Sequence, residues 1–198
     1  MINVIGIGPG DRQYLTQAAQ GLIDQAEILA GWPRALAGFP EFGGQKVTLN
    51  AELPAFIAWL SSVMHKQVVV LASGDPMLFG IGKRIGESLP EGSCRMVPGI
   101  SAIQYLFSRL GLDMNDIYLT SSHGKTPDFD FWFLHDKLAL VTDQQCGPHQ
   151  VAQALLARGL RRTLVVGENL SYDNERIHLL LPEQVAPTYD MNVVVVLK

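Results

Sequence analysis

Five short loops carry the residues whose types and spacing could do chemistry. The first is Gly6-Ile7-Gly8-Pro9-Gly10-Asp11, between a strand and a helix, where a dinucleotide-binding fingerprint would sit. The match is incomplete. Asp11 stands where the third glycine belongs and sets a negative charge beside the place of a pyrophosphate, and Pro9 removes a backbone donor from the cradle. In the second loop, Ala72-Ser73-Gly74-Asp75-Pro76-Met77-Leu78-Phe79-Gly80, Ser73 and Asp75 can bind polar ligand groups while Gly74 lets backbone approach closely. The same residues also read as a capping turn, with Asp75 ahead of Pro76 at the first helical position. In the third, Val97-Pro98-Gly99-Ile100-Ser101-Ala102, Ser101 is placed to cap a helix or to touch a ligand.

The fourth loop, Thr120-Ser121-Ser122-His123-Gly124-Lys125, brings hydroxyls together with an imidazole that exchanges protons near neutral pH and a cation that pairs with carboxylates. The fifth, Val166-Gly167-Glu168-Asn169-Leu170-Ser171, offers Glu168 and Asn169 to a polar edge, with Arg176 close behind. No carboxylate stands at a diagnostic spacing for a nucleophilic triad. His65, His135, His149 and His178 are scattered, and Cys94 and Cys146 lie far apart with no CxxC, so serine-hydrolase, metallohydrolase and disulfide-scaffold readings are set aside and no metal site is expected.

These loops need strands and helices to position them, and the hydrophobic periodicity supplies an alternation of the two. Ile2 to Ile7 reads as a strand and Ala19, Leu22, Ile23 and Ala26 as one helical face; Glu27 to Ala30 is a second strand. Asn50 is expected to cap a helix whose apolar positions are Leu53, Phe56, Ile57, Leu60, Val63 and Met64. Val68 to Ala72, continuously apolar, is a strand buried on both faces. A helix over about 78–89, a strand over 95–97 and a helix faced by Ile103, Leu106, Phe107 and Leu110 and stopped by Gly111 follow. Beyond the polar segment Leu112 to Asp116, strands are expected near 117–120, 138–142, 164–167, 177–180 and 192–197, with a helix after Gly147-Pro148. The expected fold is α/β in two subdomains, 1–112 and a more mixed or antiparallel 113–198.

The composition agrees with a folded chain: 198 residues, 47% hydrophobic and 17% charged. The apolar runs Val68 to Ala72 and Val193 to Leu197 are of strand length, far below the roughly 20 residues that span a bilayer. The first residues enter an apolar segment with no basic region before it, so no secretory signal and a cytoplasmic location are expected. A formal net charge of −4 argues against a dedicated nucleic-acid binder.

In this order and spacing, Gly6-x-Gly-Pro-Gly-Asp11, Ser73-Gly-Asp-Pro76, Pro98-Gly-Ile-Ser-Ala102 and Gly167-Glu-Asn169 resemble the tetrapyrrole methylase family over nearly the whole chain. Within it, the Thr120 to Lys125 loop and the ending Tyr189 to Val196 look most like the branch that methylates C5 of a cobalt-precorrin in anaerobic cobalamin biosynthesis, in its free-standing form. The resemblance implies two α/β subdomains with S-adenosylmethionine folded in the cleft between them. It implies cofactor contacts at Pro9, Ser73, Gly74, Asp75, Leu78, Ser101 and Ala102, and, by strand position, at Thr142, Asp143, Asn169 and Leu170.

The implied substrate is ringed with carboxylates, so cations are expected around it, with Arg12, Arg34, Lys125 and Arg176 as candidates. His123 is the candidate for hydrogen-bonding substrate or accepting the proton released later. One departure stands out. Members that methylate uroporphyrinogen carry an Asp after the second strand, but this chain has Ala30-Gly31-Trp32 there, so no general base carries over. Catalysis is then expected to rest on alignment of an already electron-rich meso carbon. A homodimer and functional partnership with a C15-methylating, decarboxylating enzyme are further expectations. Methylation at another corrin carbon and a non-catalytic subunit presenting a tetrapyrrole to that enzyme stay open.

Overall fold

A computed structural model describes residues 1–198 except Ala51 and Lys125. The chain divides into two compact units, Met1–Ser101 and Ala102–Lys198.

The first unit runs β1 (Ile2–Gly6), α1 (Gln17–Asp24), β2 (Ile28–Gly31), α2 (Pro33–Ala37), β3 (Gln45–Thr48), α3 (Leu53–Ser62), β4 (Val68–Ala72), α4 (Gly82–Ser88) and β5 (Cys94–Val97). Its sheet is wholly parallel, in the order β3-β2-β4-β1-β5. Alternation along the strands divides the side chains between two cores. Ile2, Val4, Ile28, Ala30, Val68 and Val70 pack with Phe56 and Leu60 of α3 and Ile85 of α4. Ile5, Leu29, Val69 and Leu71 pack with Ala19 and Ile23 of α1 and Ala35 and Leu36 of α2. Period-two alternation with both faces covered is what a continuously apolar strand such as β4 requires.

Two expectations about helix starts are corrected. Asn50 does not cap α3: its Oδ1 accepts from the N–H of Glu52 at 3.0 Å, and Glu52 itself holds the cap position without a side-chain bond. The helix expected from residue 78 begins only at Gly82, because Phe79 adopts a left-handed φ of 53° and the chain folds back so that the Gly82 N–H meets the Pro76 carbonyl at 2.9 Å. The strand β3 and the short helix α2 were not expected.

The second unit runs α5 (Ala102–Leu110), β6 (Ile117–Ser121), α6 (Phe129–Trp132), β7 (Lys137–Val141), α7 (Pro148–Leu156), β8 (Thr163–Glu168), β9 (Arg176–Leu180) and β10 (Asn192–Leu197). Gly111, at φ 65°, ends α5 as expected: the N–H of Leu112 returns to the carbonyl of Phe107 at 3.1 Å. The sheet, ordered β6-β7-β10-β8-β9, is mixed. Only β6 and β7 run parallel. Leu138, Leu140, Leu164, Val194 and Val196 bury one face under Val151 and Leu155 of α7 and Trp132 and Phe133. Among the described residues no helix is long and apolar enough to cross a membrane.

Candidate functional site

In a parallel sheet the carboxyl ends of the strands share one edge, and the first three loops leave β1, β4 and β5 there. The backbones of these loops touch. Gly8 and Gly74 exchange hydrogen bonds, with the Gly74 N–H 2.8 Å from the Gly8 carbonyl, and a Cβ on Gly6 would lie 2.6 Å from the Cα and N of Gly99. A Cβ on Gly99 would in turn lie 2.7 Å from the C and Cα of Gly6. The glycines therefore serve close approach of three backbones, the role the sequence allowed only for Gly74.

Asp75 fastens two of these loops. Its Oδ1 accepts from the N–H groups of Met77 at 2.8 Å and Leu78 at 3.2 Å, and its Oδ2 accepts from the Gly99 N–H at 3.1 Å. Capping and a place at the ligand edge thus coincide in one carboxylate. Asp75→Ala frees all three donors and should cost about 1–2 kcal/mol of stability by chemical denaturation. It should also loosen the third loop from the second, because the two lose their tie through the Gly99 N–H. Asp11 has a local duty as well: its Oδ1 accepts from the Gln13 N–H at 2.8 Å and caps the short 3₁₀ turn Arg12–Tyr14. Pro9 and Ser101 are buried, Leu78 is half-buried and Ser73 is exposed.

Of the candidate cations, Arg34 lies at this edge, its Nη2 3.3 Å from the Ser73 Oγ. Arg12 is turned toward α2 instead. It bonds Glu41, the Gly38 carbonyl at 3.3 Å and Gln20 at 3.2 Å, and its guanidinium lies 4.7 Å from the Phe39 ring centre. Lys125 lies outside the described residues.

In the second unit the parallel pair β6 and β7 brings the fourth loop beside residues 142–146. His123 Nδ1 is 3.2 Å from the Ser121 Oγ, and the Ser122 hydroxyl donates to the Cys146 carbonyl at 3.1 Å. Asp143 closes its own turn, accepting from the Gln145 and Cys146 N–H groups at 2.9 and 2.8 Å. The Cys146 N–H above all, then the Gln145 N–H, the nearby His123 and the Gly124 N–H, hold the Asp143 carboxyl below the usual carboxylate range against the opposing effect of burial. Burial, with Asp143 adding, pushes the Cys146 thiol up to about 11, so it is not a nucleophile at neutral pH. The Thr142 hydroxyl lies 2.9 Å from both the carbonyl and Oδ1 of Asn192.

The fifth loop is braced by two carboxylates. Glu168, 3% exposed, points inward rather than toward a ligand edge: it accepts the Asp190 N–H at 2.6 Å and meets Arg176 Nε at 3.0 Å and His178 Nε2 at 3.2 Å. Glu175 accepts the Ser171 N–H at 2.6 Å and pairs with Arg109 at 3.0 Å. Between them Asn169 takes a left-handed φ of 49° and donates from its side chain to Asp190 at 3.2 Å, with Leu170 buried next to it. Arg176 is thereby held in a brace of acids. The sequence offered Glu168, at a strand end, to a polar ligand edge; the structure engages it instead with partners from β9 and from the segment before β10, and the signal was the cross-strand pair of opposite charges Glu168 and Arg176, visible once β8 and β9 are in register.

Residues 1–184 match the model of the tetrapyrrole (corrin/porphyrin) methylases. A cobalt-precorrin-7 C(5)-methyltransferase of Salmonella typhimurium is 48% identical over 198 residues, covering 100% of this chain and 98% of that protein. A probable cobalt-precorrin-7 C(5)-methyltransferase of Methanocaldococcus jannaschii is 30% identical over 94% of this chain and 92% of its own. Among solved structures, a uroporphyrin-III C-methyl transferase from Thermus thermophilus, complexed with S-adenosyl homocysteine, superposes with a TM-score of 0.84 at 21% identity, over 100% of this chain and 97% of that one.

Proposed function

We propose that this chain, which belongs to the tetrapyrrole methylase family, is the S-adenosylmethionine-dependent methyltransferase that methylates C5 of cobalt-precorrin-7 to give cobalt-precorrin-8 in cobalamin biosynthesis. The observation that carries the reading is the 48% identity to a C(5)-methyltransferase along the whole of both chains. The first unit suits the donor: the first three loops, drawn together through Gly6, Gly74 and Gly99, lie at the carboxyl end of a parallel sheet, where α/β folds bind small ligands.

When bound, S-adenosylmethionine supplies an electrophilic methyl on a sulfonium. The protein's own part is to position and to manage charge. The family's cofactor contacts in both units stand as proposals, and the backbone ties around Asp75 and Asn169 fix the loops that bear them. Holding reactants in line is worth about 7–11 kcal/mol of a barrier, enough to make alignment the main source of rate where no general base stands after β2. His123, exposed beside Ser121 and near Asp143, is the proposed group for the proton released after transfer. Arg34 and Lys125 are the proposed partners of peripheral carboxylates; Arg176 reaches them only by leaving Glu168 and Asp190, and Arg12 only by leaving Glu41. The family likeness extends the reading to a homodimer acting in the cytoplasm, whose product passes to a C15-methylating, decarboxylating enzyme.

The test is transfer of label. Purified protein with methyl-labelled S-adenosylmethionine and cobalt-precorrin-7 should place one methyl on the macrocycle, at C5 by NMR. Label at another carbon would make it a relative with different regiochemistry. Label only in the presence of the C15 enzyme would make it a presenting subunit.

A further inference from the structure

Trp32 holds the cap position of α2, one residue beyond β2. A cap normally carries a short polar side chain that accepts an N–H of the first turn, and here there is no capping bond. The indole instead leaves the residue 46% exposed, whereas Trp132 is 4% exposed and Trp59 packs against a core. Local structure does not account for a large aromatic at this position, since a smaller residue would cap better and cost less to expose.

Its surroundings point to a ligand. Gly31 pairs with Leu71, so Trp32 stands beside the end of β4, and two residues further Arg34 meets the Ser73 hydroxyl at 3.3 Å. One turn of chain thus carries both an aromatic face and a guanidinium, and it is fastened to the second loop. That loop exposes further apolar surface in Met77, 56% exposed, and Phe79, 42% exposed and held in the costly left-handed region. All of this lies at the carboxyl edge of a parallel sheet, the edge at which α/β folds bind small ligands. An exposed aromatic two residues along the chain from a planar cation suits a flat, conjugated ligand with carboxylates on its rim.

Resting on the functional reading above, we propose that Trp32 is a binding platform for the macrocycle, its indole lying against the conjugated ring while Arg34 meets a rim carboxylate.

The test uses wild type, Trp32→Ala and Trp32→Phe, each titrated by calorimetry with cobyrinic acid, a stable carboxylated corrinoid, and separately with S-adenosylhomocysteine. Trp32→Ala should weaken the corrinoid about tenfold and Trp32→Phe about twofold, because a phenyl keeps part of the stacking surface. Affinity for S-adenosylhomocysteine should stay within about twofold of wild type in both. In turnover the loss should fall on KM for the macrocycle rather than on kcat. Equal corrinoid affinity in wild type and Trp32→Ala overturns the platform, and so does a parallel loss of both ligands, which would make Trp32 a support of the loop. A wild-type protein that neither binds the corrinoid nor labels cobalt-precorrin-7 overturns the functional reading and the platform with it.

Discussion

Gly6→Ala should lower the melting temperature by about 10 °C and abolish measurable S-adenosylhomocysteine binding, although it adds a single methyl group. The methyl would lie 2.6 Å from the Cα and N of Gly99 and against the Gly74 carbonyl. The three nearest atoms in its way are all main chain, so rotation of a side chain cannot relieve the contact. The loops must separate instead, and separation strains the Gly8–Gly74 pair, the Ile7 N–H to Ala72 bond at 2.9 Å and the Gly99 N–H to Asp75 bond at 3.1 Å. Overpacking costs about 1–3 kcal/mol, and the hydrogen bonds, strained rather than broken, together add about 2 kcal/mol, which gives about 3–5 kcal/mol in all. Gly21→Ala is the control. Gly21 lies inside α1 with nothing within 4 Å of a built Cβ, so the same chemical change there should melt no lower than wild type. Circular dichroism melts and calorimetry on the two variants check the contrast, and equal melting of both would remove the crowding argument.

Why the crowding at Gly6 escaped the sequence, while β4 did not, is a matter of distance along the chain. The five apolar residues from Val68 to Ala72 declare a doubly buried strand by themselves, and their side chains do alternate between two cores. The helix faces of α1 and α5 were legible for the same reason, since their partners lie three and four residues away. Gly6, Gly74 and Gly99 are neighbours only because the sheet order β4-β1-β5 sets their strand ends side by side. The strand β3 was hidden differently. Its residues Gln45, Lys46, Val47 and Thr48 lie at the sheet edge, where one backbone face pairs with β2 and side chains need not be apolar, so no hydrophobic pattern marks it. The late start of α4 reflects a tertiary override of propensity. Asp75 caps a turn as its sequence promised, but the turn leads into the left-handed Phe79 rather than into a helix. For the site the lesson is similar. Loops at strand ends are legible along the chain, whereas the direction of each charged side chain depends on partners distant in sequence, which is why Arg12 and Glu168 turn out to be engaged within the fold.

Glu168→Ala should cost about 2–3 kcal/mol and remove this carboxylate's share of the acid sensitivity of the second unit. The carboxylate is buried and serves three donors: the Asp190 N–H at 2.6 Å, Arg176 Nε at 3.0 Å and His178 Nε2 at 3.2 Å. Removing it strands the Asp190 N–H, while Arg176, whose side chain is 58% exposed, returns to water and limits the loss below that of a fully buried pair. Burial by itself would raise the Glu168 pKa, but the Asp190 N–H, His178 and Arg176 outweigh it and hold the carboxyl below its ordinary 4.5. A depressed carboxyl contributes stability that is fully present above the ordinary glutamate value and is lost as pH falls through the folded value. Wild type should therefore lose this contribution below about pH 4.5, whereas Glu168→Ala, which has no carboxyl to protonate there, should start lower at pH 7 and fall less on acidification. Glu168→Gln separates shape from charge: it can still accept the Asp190 N–H but forms no ion pair, so it should sit between the two at pH 7 and share the flat response of the alanine variant. Urea denaturation at pH 7 and pH 4 reads all three, and an alanine variant as acid-sensitive as wild type would transfer the effect to other carboxylates. Because Asp190 also holds the Asn169 side chain at 3.2 Å, the same substitution should loosen Asn169 and Leu170 and weaken any ligand that depends on them before the unit as a whole unfolds.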